Sequence, residues 1–301
     1  MAYDMPKYKA KPYSGRTTHK GQSKEETDFY RSLMIMLPKG IKVLRNDRTL
    51  LDGKELDVFI PSLKLAFEFN GIYYHSTRTQ FDKDYHINKT IACESHGVKL
   101  IQIFSDEWER NRSLVTDHIR KEMEIWCPNL KWDSSLRHLQ SRSLRVVELT
   151  MEEGRNFFSF YDLRGCLQGV SRYLGLKREN TLYMACALRE DDNRFEIVQV
   201  TSQRGVWVDG GLEKLMKYLK GQKEVDVLLD RRLYTGKSYE DIGFRLREFT
   251  PPNQYITRDF KSKINLTENG DELLPSLTDE ELALMDYYRV YDSGCIRLRL
   301  A

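Results

Sequence analysis

The sequence predicts an α/β protein of two domains, and three observations carry that expectation. Its 301 residues exceed the roughly 100–200 of one domain. Strand-like alternation and helix-like stripes succeed one another along the chain, the pattern of sheets flanked by helices. A polar stretch, SSLRHLQSRS, divides them into two blocks. The boundaries on these signals are a basic arm over 1–22, a first domain over 23–130, a linker over 131–143, a second domain over 144–257 and an extension over 258–301.

The elements follow in order. Lys7, Lys9, Lys11 and Arg16, with Lys20 and Lys24, face Asp4 alone, so the arm reads as a flexible segment that can neutralise phosphates without reading sequence. Ser23-Lys24-Glu25-Glu26 is a capping box, and Phe29, Leu33 and Leu37 follow at helical spacing. Residues 56–60 and 63–74 read as two strands about a tight connection. Pairing Ile60 with Leu65 sets Asp57 opposite Glu68, and alternation puts Leu65, Phe67 and Phe69 on the face away from Ala66, Glu68 and Asn70. A helix over about 83–95 ends at Gly97, and 98–104 reads as a strand. Ser105 opens another helix, whose stretch from Leu114 to Trp126 stops before Pro128. Past the linker, strands at 144–149, 181–188, 194–202, 225–229 and 243–249 alternate with helices at 151–160 and 211–220. The carboxy-terminal YYRVYDSGCIRLRL reads as a strand, without a sequence signal for what it joins.

Composition narrows the function classes. Apolar residues make up 40% and charged residues 31%, and no run approaches the roughly 18 apolar residues of a membrane span. The amino terminus lacks the apolar core of a secretory signal, so a soluble, cytoplasmic protein is expected. Five cysteines without a CxxC pair suggest neither a disulfide framework nor a zinc knuckle. The net charge, 48 − 45 = +3, implies no nucleic acid by itself. Its distribution does, because Arg231, Arg232 and Lys237, with Arg245 and Arg247, form a basic cluster suited to phosphates.

Converging carboxylates are the residues a divalent cation requires, and Asp57 with Glu68 supplies them as hard oxygen ligands suited to Mg2+ or Mn2+. Glu68 sits in the apolar run LAFEF, where an uncompensated charge is costly. His75, on the same strand, can take a proton near neutral pH. Glu26 shares the stripe side of the first helix, and His86 and Lys89 are three apart on one helix face, placed to meet a phosphate.

ELDVFIPSLKLAFEFNGIYYHS and DYHINKTIACESHGVKLIQIFSDEW resemble the nuclease domain of phage homing endonucleases akin to very short patch repair endonucleases, on a core similar to the PD-(D/E)xK nucleases. That resemblance covers about residues 23–110. It implies Asp57 as metal ligand, His75 as general base, Glu26 as an acidic residue from the first helix and Glu68 as the second acidic position. Asn70 stands where that core has lysine, with Lys89 as a substitute. The expected function is then metal-dependent, site-specific cleavage of double-stranded DNA in a phage-infected bacterial cell. In the second block, the Gly-containing turn Gln203 to Leu215 and Tyr239-Glu240-Asp241-Ile242-Gly243-Phe244 resemble the acyl-CoA loop and the Tyr-x-x-x-Gly-Phe element of the GCN5-related N-acetyltransferase fold. Similar regions occur as carboxy-terminal modules of the same homing endonucleases. The alternatives are a mismatch-repair or restriction nuclease, an acyl-CoA-dependent acetyltransferase with a degenerate nuclease domain, and a non-catalytic DNA-binding protein.

Overall fold

A computed structural model describes residues 23–80, 82–132, 136–266 and 273–301; Lys7, Lys9, Lys11 and Arg16 of the basic arm lie outside the described residues. The first helix, α1 (Lys24–Met36), begins at the predicted cap, where Ser23 Oγ accepts the Glu26 N–H at 3.0 Å. Its buried stripe is Phe29, Leu33 and Met36. β1 (Leu44–Leu51), β2 (Lys54–Ile60), β3 (Leu65–Asn70), α2 (Tyr85–Ser95), β4 (Lys99–Phe104) and α3 (Ser105–Trp126) follow. Their sheet has the order β1-β2-β3-β4, antiparallel until α2 carries the chain over to a parallel β4. Both faces of β3 and β4 are covered, so they bury every residue. Phe67 and Ile101 pack with Phe29 on one side, while Ala66 and Leu100 pack with Cys93 on the other.

Ile60 pairs with Leu65 in the expected register. The strand expected to run to Tyr74 instead stops at Asn70. Gly71 opens a turn in which its carbonyl accepts the N–H of Tyr74 at 3.0 Å and of His75 at 3.2 Å. That turn seats Ile72 against Phe104 and Val290. α3 is also two segments, because Asn111 is non-helical (φ −158°, ψ 80°) and its side chain caps the second through the Leu114 N–H at 3.2 Å.

The second half runs β5 (Arg137–Gln140), β6 (Arg145–Leu149), α4 (Met151–Tyr161), β7 (Arg172–Arg178), β8 (Thr181–Glu190), β9 (Arg194–Ser202), β10 (Val206–Asp209), α5 (Gly211–Leu219) and β11 (Glu224–Asp230). It continues as α6 (Lys237–Glu240), β12 (Phe244–Phe249), β13 (Gln254–Thr257), β14 (Ile264–Asn265), α7 (Leu273–Ser276), α8 (Asp279–Leu284), β15 (Tyr288–Tyr291) and β16 (Cys295–Leu300). Seven strands form one sheet in the order β12-β16-β11-β9-β8-β7-β6. The mixed α/β class is as expected. Residues 137–140, read as linker, are a strand, since β5 pairs in parallel with β10. The carboxy-terminal β16 inserts between β11 and β12 and completes the main sheet.

A buried polar seam joins the two halves. Lys99 Nζ donates to the carbonyls of Arg231 and Tyr234, both at 2.7 Å. Arg232 clasps both oxygens of Glu107 at 2.8 and 2.6 Å, and Gln102 donates to Thr90 and Ser293, each at 2.7 Å. No helix among the described residues is long and apolar enough to cross a membrane.

Candidate functional site

The first polar centre grows from the point where β2 and β3 part. The ladder between them ends at Val58 and Phe67. One step further, the side chains take over: the Asp57 N–H donates to Glu68 Oε1 at 3.1 Å, and the Phe69 N–H donates to Asp57 Oδ2 at 2.8 Å. Lys89 reaches from α2 to within 2.6 Å of Glu68 Oε2, both side chains about 5% exposed. Burial, reinforced by Asp57, pushes Glu68 up to about 8. Burial also raises Asp57 and Glu26, the latter with Asp57 adding to it. Burial lowers the Lys89 ammonium, but Glu68, Tyr85 and Asp57 together raise it by more, so it stays charged.

His75 lies in the turn after β3, its ring centroid 4.8 Å from that of His86 and 5.7 Å from that of Tyr85. Burial, with His86 and Lys89, holds it well below the usual imidazole range. His86 Nδ1 meets Gln102 Oε1 at 2.8 Å, and burial pushes His86 down to about 3. His75 Nδ1 and His86 Nε2 are buried without a hydrogen-bond partner. The structure therefore brings Asp57, Glu68, Lys89 and His75 into one region with Glu26 at its margin.

The Mg2+ or Mn2+ site expected at Asp57 and Glu68 is corrected. Among the described residues no group of three His, Cys, Asp or Glu side chains could hold a metal ion. The reason is local: oxygens that would converge on a cation are spent on the N–H groups of Asp57 and Phe69, and the Lys89 ammonium already occupies the position beside Glu68 Oε2. Arg231 and Arg232, expected at a DNA surface, are corrected as well. Each is 2% exposed, Arg231 paired with Glu94 and Arg232 with Glu107 and Asp230. Lys237 is half-exposed and pairs with Asp241 at 2.9 Å.

The second centre is a cleft in the large sheet. β9 and β11 are parallel and paired only from Arg194–Glu224 to Ile197–Val227. Beyond that, β9 stays with β8 as far as Ser202, and β11 stays with β16 as far as Asp230. The sheet therefore splits between them. The loop after α4 fills the split: an Arg164 Nη donates to the Val198 carbonyl at 3.0 Å, with its guanidinium 5.6 Å from the centre of the Tyr234 ring. Gln199 bonds this loop at the Gly165 carbonyl (2.7 Å) and the Leu167 N–H (3.1 Å). Asp162 Oδ2 is buried there without a hydrogen-bond partner, and Arg164 Nε lies 3.6 Å from Asp162 Oδ1 as an ion pair.

At the mouth, the chain turns through Gly205 (φ +71°) and Gly210 (φ +67°) into α5, whose cap has no side-chain acceptor. A Cβ on Gly211 would stand 2.6 Å from Met184 Sδ and 2.8 Å from Val208 Cγ1, so a side chain there forces one of these neighbours to shift. α3 bridges the two lips. Asp117 accepts the Gly205 N–H at 2.8 Å and Lys121 donates to the Gln203 carbonyl at 3.2 Å on one lip. His118 donates to the Leu233 carbonyl at 3.2 Å and Glu122 accepts the Thr235 N–H at 2.8 Å on the other. Tyr239 and Gly243-Phe244 serve packing, with the two rings edge to face at 5.4 Å. Sequence reasoning missed Asp117, Lys121 and Arg164. For Gln102 a signal existed, a lone amide within the apolar strand VKLIQIF.

No family model matches the chain, and no curated protein matches it. Solved structures similar to it include a GNAT family acetyltransferase from Elizabethkingia anophelis with acetyl-CoA bound, at 14% identity over 52% of this chain and 97% of that one, TM-score 0.31. Another is the IAA acetyltransferase from Bacillus cereus ATCC 14579, at 14% identity over 52% and 99%, TM-score 0.32. A third is the PaiA N-acetyltransferase from Thermoplasma acidophilum in complex with coenzyme A, at 14% identity over 36% and 93%, TM-score 0.25. These findings give no support to a homing-endonuclease or repair-nuclease domain. The expectation of a metal-dependent, phage-type DNA hydrolase is corrected on the metal it requires: the described residues assemble no group of three His, Cys, Asp or Glu side chains that could hold a cation.

Proposed function

We propose that this chain is an acyl-CoA-dependent acyltransferase whose ligand lies in the cleft between β9 and β11. The observation that carries the reading is the parting of a parallel pair within a continuous sheet. The two strands diverge beyond Ile197 and Val227, and an extended ligand with amide groups can hydrogen-bond to strand edges that part in this way. The cleft opens at the carboxyl end of parallel strands, the usual ligand position in α/β sheets. At its mouth the uncapped first turn of α5 presents backbone N–H groups, a ready anion site for the phosphates of such a ligand. A buried carboxylate oxygen without a hydrogen-bond partner, Asp162 Oδ2, lies beside β9 in the same place.

In the reaction a nucleophile on the acceptor attacks the thioester carbonyl, the carbon–sulfur bond breaks, and the departing thiolate takes up a proton. The test is isothermal titration of the full chain with acetyl-CoA, followed by release of free CoA thiol in the presence of small amine acceptors. Saturable binding at one site per chain, with thiol release above the no-protein rate, is expected. No heat at millimolar acetyl-CoA removes the reading.

A further inference from the structure

A buried carboxylate sits at the mouth of the β9–β11 cleft. Asp117 is buried on the second segment of α3, with Oδ1 on the Gly205 N–H at 2.8 Å and Oδ2 2.7 Å from Lys121 Nζ. The same ammonium donates to the carbonyls of Gln203 and Ser202 at 3.2 and 3.4 Å. One anionic group thus engages a backbone donor in a left-handed glycine turn together with a lysine, an arrangement that also receives phosphate oxygens. Arg204 stands exposed beside it, one Nη on Ser113 Oγ at 2.7 Å, and the uncapped start of α5 lies a few residues on.

We infer that Asp117 is the internal occupant of a diphosphate site, and that the amino-terminal half thereby gates the cleft. A ligand carrying a diphosphate binds by displacing the Asp117 carboxylate from Gly205 and Lys121. Removing that negative charge frees one donor and one cation and abolishes repulsion toward the incoming phosphates. The identity of the ligand rests on the acyl-CoA reading, whereas the anion site rests on its own contacts.

The experiment is isothermal titration of full-length wild type, Asp117→Asn and Asp117→Ala with acetyl-CoA and, separately, with inorganic pyrophosphate. Asp117→Asn keeps the shape of the side chain, and serves if the alanine variant does not fold. At least tenfold tighter binding of both ligands to the variants, weakening as salt rises, is the expected result. Equal Kd values for wild type and variants overturn the gate and leave acyl-CoA binding standing. Tightened pyrophosphate binding with acetyl-CoA bound by none of the three upholds the anion site and removes the acyl-CoA reading. Absence of binding of either ligand to any of the proteins overturns both.

Discussion

Single residues in this protein are governed by what burial does to charge. Lys89 and Glu68 are the extreme pair: the ammonium and carboxylate touch at 2.6 Å because neither has water to turn to. His118 is a simpler case. Burial pushes it down to about 4, and its donor nitrogen faces the Leu233 carbonyl. Above an unfolded pKa of about 6.5 both states carry the neutral ring, so no proton is linked to folding. As pH falls below that value the unfolded chain gains a proton that the folded one refuses. Stability from this group then declines by about 1.4 kcal/mol per pH unit until the folded ring itself titrates near 4. His118→Asn keeps an amide donor and removes the titration. Urea unfolding at pH 7, 6 and 5 is predicted to show the stability gap between wild type and variant shifting in the variant's favour toward acid. A gap independent of pH would remove His118 as a source of acid sensitivity.

At the scale of elements, local signals located most helices and strands. The cap at Ser23, the stop at Gly97 and the Ile60–Leu65 register all appear where the residues demand them. β7 escaped because Gly175 interrupts its alternation. Its absent side chain makes room for Leu182 and Leu149, which a Cβ would approach to 2.6 and 2.9 Å. β5 escaped because four residues pair only with a distant β10. The seat of α5 is as tight. Gly211→Ala is predicted to destabilise the chain by about 1–3 kcal/mol through overpacking against Met184 and Val208. It should also weaken acetyl-CoA binding by displacing the start of α5. Thermal unfolding and titration of this variant check both, and an unchanged midpoint would mean that Met184 yields without cost.

The molecule as a whole is held by charges buried between its halves. Arg232 is the hub, bonded to Glu107 from α3, to Asp230 from β11 and to the Gln102 carbonyl from β4. Arg232→Ala takes the guanidinium from buried Asp230 and leaves Glu107 with Lys263 as its cation, which costs about 3–5 kcal/mol. Hydrogen exchange is predicted to show protection falling in β4 and in β11 together, because the seam couples them. Loss confined to one half would mean that the halves are independent units. The sequence by itself determined the mixed α/β class, most of the elements and the residues of the Asp57–Glu68–Lys89 cluster, because strand period, caps and turn residues act over a few positions. Tertiary structure alone decided the rest. Whether two carboxylates face a metal or a lysine, whether Arg231 and Arg232 meet solvent or Glu94 and Glu107, and which strand β16 joins are set by partners far away in the chain. Burial and distance fix the chemistry of such groups, and neither is a property of a residue's immediate neighbours in sequence.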